Sequence, residues 1–139
     1  MSPTCHVIPT LIVIEDNPVL MGLIIQFLEK TRPPCGHVIA TARQGKAGIE
    51  AVSTRQPTAV IVDVVLSDMA GIEVVGRLRR QYPGLVIIGF SNSPELFGVA
   101  ALGAGADAFV STESLRTELP AALKRSIGRH EAVVATAMP

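Results

Sequence analysis

Three short stretches of this chain share one design. TLIVIE (residues 10–15), TAVIVD (residues 58–63) and LVIIGF (residues 85–90) are apolar nearly throughout, and each runs straight into a polar residue at its carboxyl end. A strand with one buried face alternates apolar and polar side chains, whereas a strand covered on both faces is apolar continuously. These runs therefore predict strands in the middle of a parallel sheet. HVIATA (residues 37–42) and ADAFV (residues 106–110) supply two more.

Helical patterns fill the spaces between them. Asn17 and Pro18 offer a cap and a first-turn proline, and Leu20, Leu23, Ile24, Phe27 and Leu28 follow at helical spacing through Glu29. A second helix is expected over residues 44–55, weakened by Gly45 and Gly48. Residues 72–82 form a third, with Ile72, Val75 and Leu78 in register, and residues 94–102 a fourth that is unusually apolar. Thr117 caps a fifth, with Pro120 in its first turn and an end near Ile127, before Gly128. Strands alternating with helices predict an α/β protein, a parallel sheet with helices on both faces.

The length of 139 residues fits one domain, expected over residues 10–128. Residues 1–9, with two prolines, read as a lead-in, and residues 129–139 as a tail that extends the last helix or opens a linker. With 48% hydrophobic and 17% charged residues the chain can pack a core, and with only 4% aromatic residues that core must be aliphatic. Equal numbers of basic and acidic residues give no excess charge directed at nucleic acid. No apolar run approaches the ~18 residues of a membrane helix, and the first residues lack the basic and apolar regions of a signal peptide, so a cytoplasmic protein is expected. Cys5 and Cys35 lack metal-site spacing and read as two free thiols.

In open parallel sheets, ligands bind beyond the carboxyl ends of the strands, where strand order reverses. Here those ends carry Glu15 and Asp16, then Asp63, then Ser91 and Asn92. Three carboxylates drawn together repel one another, and burial raises their pKa values. A hard divalent cation resolves the conflict, and an oxygen-only ligand set without Cys or His favours Mg²⁺, an ion suited to phosphate chemistry.

The acidic pair E-D after the first strand, D-V-V-L-S-D-M-A-G after the third, G-F-S-N after the fourth and G-A-D-A-F-V around the fifth together resemble the receiver domain of two-component response regulators (CheY-like). The resemblance spans residues 10 to about 127 and implies a flavodoxin-like, doubly wound five-stranded sheet of order 2-1-3-4-5 with five helices. It implies a phosphoacceptor regulatory domain rather than an enzyme, Mg²⁺-dependent and charged by a histidine kinase or phosphotransfer protein. Asp63 would be the nucleophile that becomes an aspartyl-phosphate. Asp16 would ligate Mg²⁺ directly, Glu15 through water, and Val65 through its backbone carbonyl. Ser91 would bond a phosphoryl oxygen and draw its loop inward, Phe109 would be the aromatic switch, and Gly71 would close the loop after Asp63. Two positions depart from the family. Thr112 stands where a lysine is expected, with no nearby lysine to replace it and Arg116 able to reach back only if the loop allows. Ser67 stands where a proline is usual. A threonine hydroxyl can donate one hydrogen bond but supplies no ammonium charge.

Plainer roles exist for the same residues. Asp63 can be the polar exit of a core strand, Ser91 a helix cap, Phe109 a core residue and Thr112 the start of a loop. Asp68 reads as a solvated loop acid and Asp107 as a strand-edge polar residue. His6, His37 and His130 are too dispersed to suggest a metal cluster. The fourth helix has almost no charge after Glu95; either its neighbours cover it, or its face over residues 95–103 is an apolar surface for a second copy or an output partner. Thr112 motivates a second function, a degenerate receiver that binds partners without phosphorylation. A third, a flavodoxin-like cofactor binder, would need a phosphate-cradling first loop, but the acids of EDNPV repel phosphate unless a metal intervenes. No helix-turn-helix follows within the chain, which reads as a stand-alone receiver or a piece of a longer regulator.

Overall fold

The computed structural model describes residues 8–137. Cys5, His6 and most of the expected lead-in lie outside the described residues. Five strands alternate with five helices: β1 (Thr10–Ile14), α1 (Pro18–Lys30), β2 (His37–Ala42), α2 (Gly45–Arg55), β3 (Ala59–Asp63), α3 (Gly71–Gln81), β4 (Val86–Ser91), α4 (Pro94–Ala104), β5 (Ala108–Ser111) and α5 (Leu115–Ala137). All strand pairs are parallel, in the order β2-β1-β3-β4-β5. This is the expected doubly wound order. The chain first moves outward from β1 to β2, then returns past β1 to β3, so the strand order reverses between β1 and β3.

The continuous apolar runs have the reason anticipated for them. Successive side chains of a strand point to opposite faces. Leu11, Val13, Ile61, Ile88 and Phe90 enter one core with Ile24 and Leu28 of α1 and Leu119 and Leu123 of α5. Ile12, Ile14, Val60, Val62 and Ile87 enter the other with Val52 of α2 and Val74 and Leu78 of α3. The central strands thus have no water-facing side. Asn17 caps α1 as expected: its Oδ1 accepts the amide hydrogens of Val19 at 2.9 Å and Leu20 at 3.2 Å, with Pro18 at the first helical position.

The last helix differs from expectation at both ends. A 3₁₀ turn (Thr112–Ser114) leads directly into α5, so Thr117 lies inside the helix, its hydroxyl donating to the Ser114 carbonyl at 3.2 Å. Pro120 is consequently an interior residue of α5 rather than part of its first turn. Nor does the helix stop before Gly128. Beyond it, Arg129 donates to the Asp107 carbonyl at 3.1 Å and His130 Nε2 meets Asp107 Oδ1 at 2.8 Å. Contacts with the body offset the weak helix propensity of glycine, which sequence periodicity alone had made a stop.

α4 shows the apolar surface weighed above. Leu96, Val99 and Leu102 are 70%, 87% and 48% exposed, and Ala101 is the one fully buried residue of the helix. Coverage by neighbours is therefore not the reason for its composition.

Candidate functional site

Strand register builds the site. Ile14 lies beside Val62, and Asp63 beside Phe90, so Glu15, Asp16, Asp63 and Ser91 leave the sheet side by side. One oxygen from each of Glu15, Asp16 and Asp63 lies within 4.8 Å of the others. Glu15 is 1% exposed, with its amide donating to the Ala42 carbonyl at 3.0 Å. Its Oε2 accepts the Asn17 amide at 2.9 Å, while Oε1 is buried with no hydrogen-bond partner. Asp63 Oδ1 accepts the Val65 amide at 2.8 Å, which fixes the carboxylate in an Asx-type turn.

Bringing these acids together has an electrostatic consequence. Burial, helped by the neighbouring Asp63 carboxylate, pushes the Glu15 pKa up to about 8. Asp63 is also raised, chiefly by burial, with the adjacent Glu15 carboxyl and the hydrogen bond from the Val65 amide working the other way. Two carboxyls raised side by side make the cluster as a whole harder to ionise than free carboxylates. A buried carboxyl oxygen without a donor, beside two further carboxylates, suits a hard divalent cation such as Mg²⁺ in its ligand chemistry.

A pH dependence of stability follows. Glu15 binds its proton more tightly in the folded chain, near pH 8, than at its ordinary value of 4.5. This stabilisation is complete below pH 4.5 and is lost as pH rises toward 8, by roughly 1.4 kcal/mol per pH unit at most. Thermal melts in EDTA are expected to show Tm falling from pH 5 to pH 8. Added Mg²⁺ should raise Tm strongly at pH 8 and little at pH 5. A flat profile in EDTA would remove the strained acid cluster from consideration.

The remaining expected residues are placed as follows. Ser91 ends β4, buried, opposite Ser111 of β5; its Oγ accepts the Ser93 amide at 3.0 Å, and Ser93, not Ser91, occupies the cap of α4. Val65 is 52% exposed in the loop after Asp63, forming an antiparallel bridge with Ala70. Gly71 closes that loop, its amide donating to the Val64 carbonyl at 3.0 Å. Thr112 follows β5 as the first residue of the 3₁₀ turn, half-buried. Phe109 packs with the core on the α2–α4 side: a Cβ built on Gly89 or on Gly98 would lie 3.4 Å from its ring. Its ring therefore fills the space between β4 and α4 that the two glycines leave.

Two acids do more than the sequence suggested. Asp68 is exposed, yet its Oδ1 and Oδ2 accept the amides of Gly45 at 2.8 Å and Lys46 at 3.1 Å. It caps α2 from another loop, and these bonds hold its pKa below the usual carboxylate range. Gln44, at the local cap position, makes no side-chain cap. Asp107 is a hub: Oδ2 accepts from Arg79 and from the Ile87 amide, each at 2.8 Å, and Oδ1 meets His130. Arg79 in turn donates to the carbonyls of Leu85 at 2.7 Å and Gly105 at 2.9 Å. His37 instead lies 3.3 Å from Glu29, so the described histidines serve separate places.

Comparison with known proteins agrees with this architecture. The family described as the response regulator receiver domain matches residues 11–124. The probable transcriptional regulatory protein TcrX of Mycobacterium tuberculosis is 33% identical over 122 residues, covering 84% of this chain and 50% of that protein. The DNA-binding transcriptional activator EvgA of Escherichia coli K12 is 32% identical over 114 residues, covering 81% and 54%. The transcriptional regulatory protein KdpE of M. tuberculosis is 32% identical over 129 residues, covering 92% and 55%. The chain thus spans about half the length of these relatives. Among solved structures, a CheY-like receiver domain protein from Methanospirillum hungatei superposes with a TM-score of 0.79 at 20% identity, covering 91% of this chain and 98% of that one. With the fold, the strand-end acids and a family match over most of its length in agreement, this chain belongs to the response regulator receiver domain family of two-component systems.

Proposed function

We propose that the chain accepts a phosphoryl group on Asp63, with Mg²⁺ held by Glu15, Asp16 and Asp63 and by the Val65 carbonyl, and that a histidine kinase or phosphotransfer protein is the donor. The observation that carries this reading is the trio of carboxylates within 4.8 Å, one of whose buried oxygens has no partner. Bound Mg²⁺ would neutralise negative charge as carboxylate and phosphoryl oxygens approach.

The chain's own residues supply the rest. The Val65 amide holds Asp63 Oδ1 and orients the carboxylate, so that Oδ2 is the attacking oxygen. Ionised in the metal-bound site, Asp63 would act as the nucleophile. The Ser91 hydroxyl, whose oxygen already accepts from Ser93, is free to donate its own hydrogen to a phosphoryl oxygen and so tie the β4–α4 loop to the site. Phe109, packed beneath Gly98 of α4, is positioned to transmit movement of that loop to the helix, and Thr112 can donate one hydrogen bond from the turn after β5. The exposed Leu96, Val99 and Leu102 support a contact there with a second copy or an output partner. The receiver unit is taken as residues 10–128.

Beryllofluoride, a phosphoryl mimic, tests the site directly. In ¹⁵N correlation spectra, millimolar Mg²⁺ with beryllofluoride is expected to shift the amides of residues 63–67 and 91–93, and beryllofluoride without Mg²⁺ to shift none of them. Absence of any change with both present would sink the assignment.

A further inference from the structure

We propose that Arg43 binds an oxygen of the phosphoryl group as it is transferred to Asp63, and so provides the positive charge that the loop after β5 lacks. The inference rests on Asp63 being the phosphoacceptor.

The site is short of positive charge. Three carboxylates meet at the site, and a phosphoryl group adds about two further negative charges. A single divalent ion leaves an excess of negative charge that a cationic side chain would relieve. Thr112 carries none. The chain has three lysines, Lys30, Lys46 and Lys124. Lys30 ends α1, and Lys124 lines an apolar groove with Pro33, Pro34 and Ile127 on the α5 side. Lys46 lies within α2, its amide taken by Asp68, and does not line the cleft beside the acids.

Arg43 does line it. That cleft, about 500 Å³, opens between the loops after β1, β2 and β3 and is walled by Asp16, Arg43, Gln44, Ala47 and Ser67. Arg43 is thus the one cation on the wall, which it shares with Ser67 of the Asp63 loop and with Asp16 of the acid trio. Its Nη2 reaches the Asp16 carbonyl at 3.4 Å, a long contact that leaves most of the guanidinium uncommitted. Among the described residues it makes no ion pair, whereas Arg77 pairs with Glu73 and Arg79 with Asp107. An exposed, unpaired guanidinium held beside a metal-type carboxylate cluster suits a planar phosphoryl group, whose oxygens it can bind in pairs.

The reaction with a small donor balances simply. With phosphoramidate, an oxygen of the Asp63 carboxylate forms the new O–P bond, the P–N bond breaks with its electron pair going to nitrogen, and that nitrogen, already carrying three hydrogens in the zwitterion, leaves as ammonia. No oxidant or further reactant takes part. Arg43 would hold a non-transferring oxygen throughout.

The test measures acyl-phosphate formation on the full chain by intact mass, at varied phosphoramidate and saturating Mg²⁺, with Mg²⁺ affinity taken separately by calorimetry. Arg43→Ala is expected to lower the second-order rate by about tenfold to a hundredfold, the effect of one charged hydrogen bond. Mg²⁺ affinity should remain within about twofold of the parent, Arg43→Lys should recover part of the rate, and Arg55→Ala at the far end of α2 should match the parent. A rate for Arg43→Ala within about twofold of the parent would overturn the inference while leaving Asp63 as acceptor. Loss of rate and of Mg²⁺ affinity in equal measure would overturn it too, by making Arg43 a support for Asp16. Failure of the parent chain to take up any phosphoryl group would remove the acceptor assignment itself, and the inference with it.

Discussion

Asp63→Asn is expected to abolish phosphoryl uptake entirely while leaving the fold intact. An amide oxygen is a poor nucleophile, and Glu15 and Asp16 do not lie on the phosphoryl-facing turn that the Val65 amide organises. Incubation with phosphoramidate and Mg²⁺ should add one phosphoryl mass to the parent and none to the variant. The same change should not weaken the protein. Asp63 is one of the causes that raise the Glu15 pKa, so removing its charge eases the crowded cluster, and metal-free Asp63→Asn should melt at or above the parent Tm at pH 8. A variant that still acquires the mass would place the acceptor elsewhere. Unchanged output from a variant that cannot acquire it would instead favour a partner-binding role independent of phosphorylation.

The second large effect is expected at Gly71. A Cβ there would run into the Val64 Cα and the Asp63 carbonyl oxygen, and would lie 2.7 Å from the Val64 carbonyl carbon. All of these are backbone atoms, so no side chain can swing aside. Gly71→Ala must displace the loop between β3 and α3, the segment that carries Asp63 and Val65. A loss of about 3 kcal/mol is expected, with Tm lower by roughly 10 °C. Mg²⁺-dependent stabilisation should fall with it, because the Asp63 carboxylate is oriented by this loop. Gly22→Ala is the contrasting substitution. Nothing lies within 4 Å of the Cβ it would add, it sits within α1, and it should be neutral or stabilise by up to about 1 kcal/mol. Equal melting curves for the two variants would refute the close packing at Gly71.

Much of the fold was legible because its signals are local. The apolar runs around Ile12, Ile61 and Ile88 announced strands covered on both faces, and Asn17 with Pro18 announced the start of α1. Element ends were less legible. β5 begins two residues later than expected, at Ala108: the Asp107 amide donates to the Ile87 carbonyl at 2.7 Å, but the Ile87 amide goes to the Asp107 carboxylate, which also meets Arg79 and His130. α5 begins earlier and ends later than its own residues suggest, since the 3₁₀ turn feeds it at one end and Asp107 anchors it past Gly128 at the other. No window of local sequence contains both members of these contacts.

The sequence by itself determined which residue types stand at the strand ends, because a chain that buries apolar strands on both faces must place its carboxylates where the strands leave the core. Only the tertiary structure decided how those ends are used. The register of β1 against β3 brings Glu15 and Asp16 to Asp63, the β3–α3 loop sends Asp68 to cap α2, and the β2–α2 loop sets Arg43 beside Asp16. The reason is one of range. Propensity and periodicity act over a few neighbouring residues, whereas these charges meet across 20 to 50 residues of chain, at distances fixed by sheet register and loop closure.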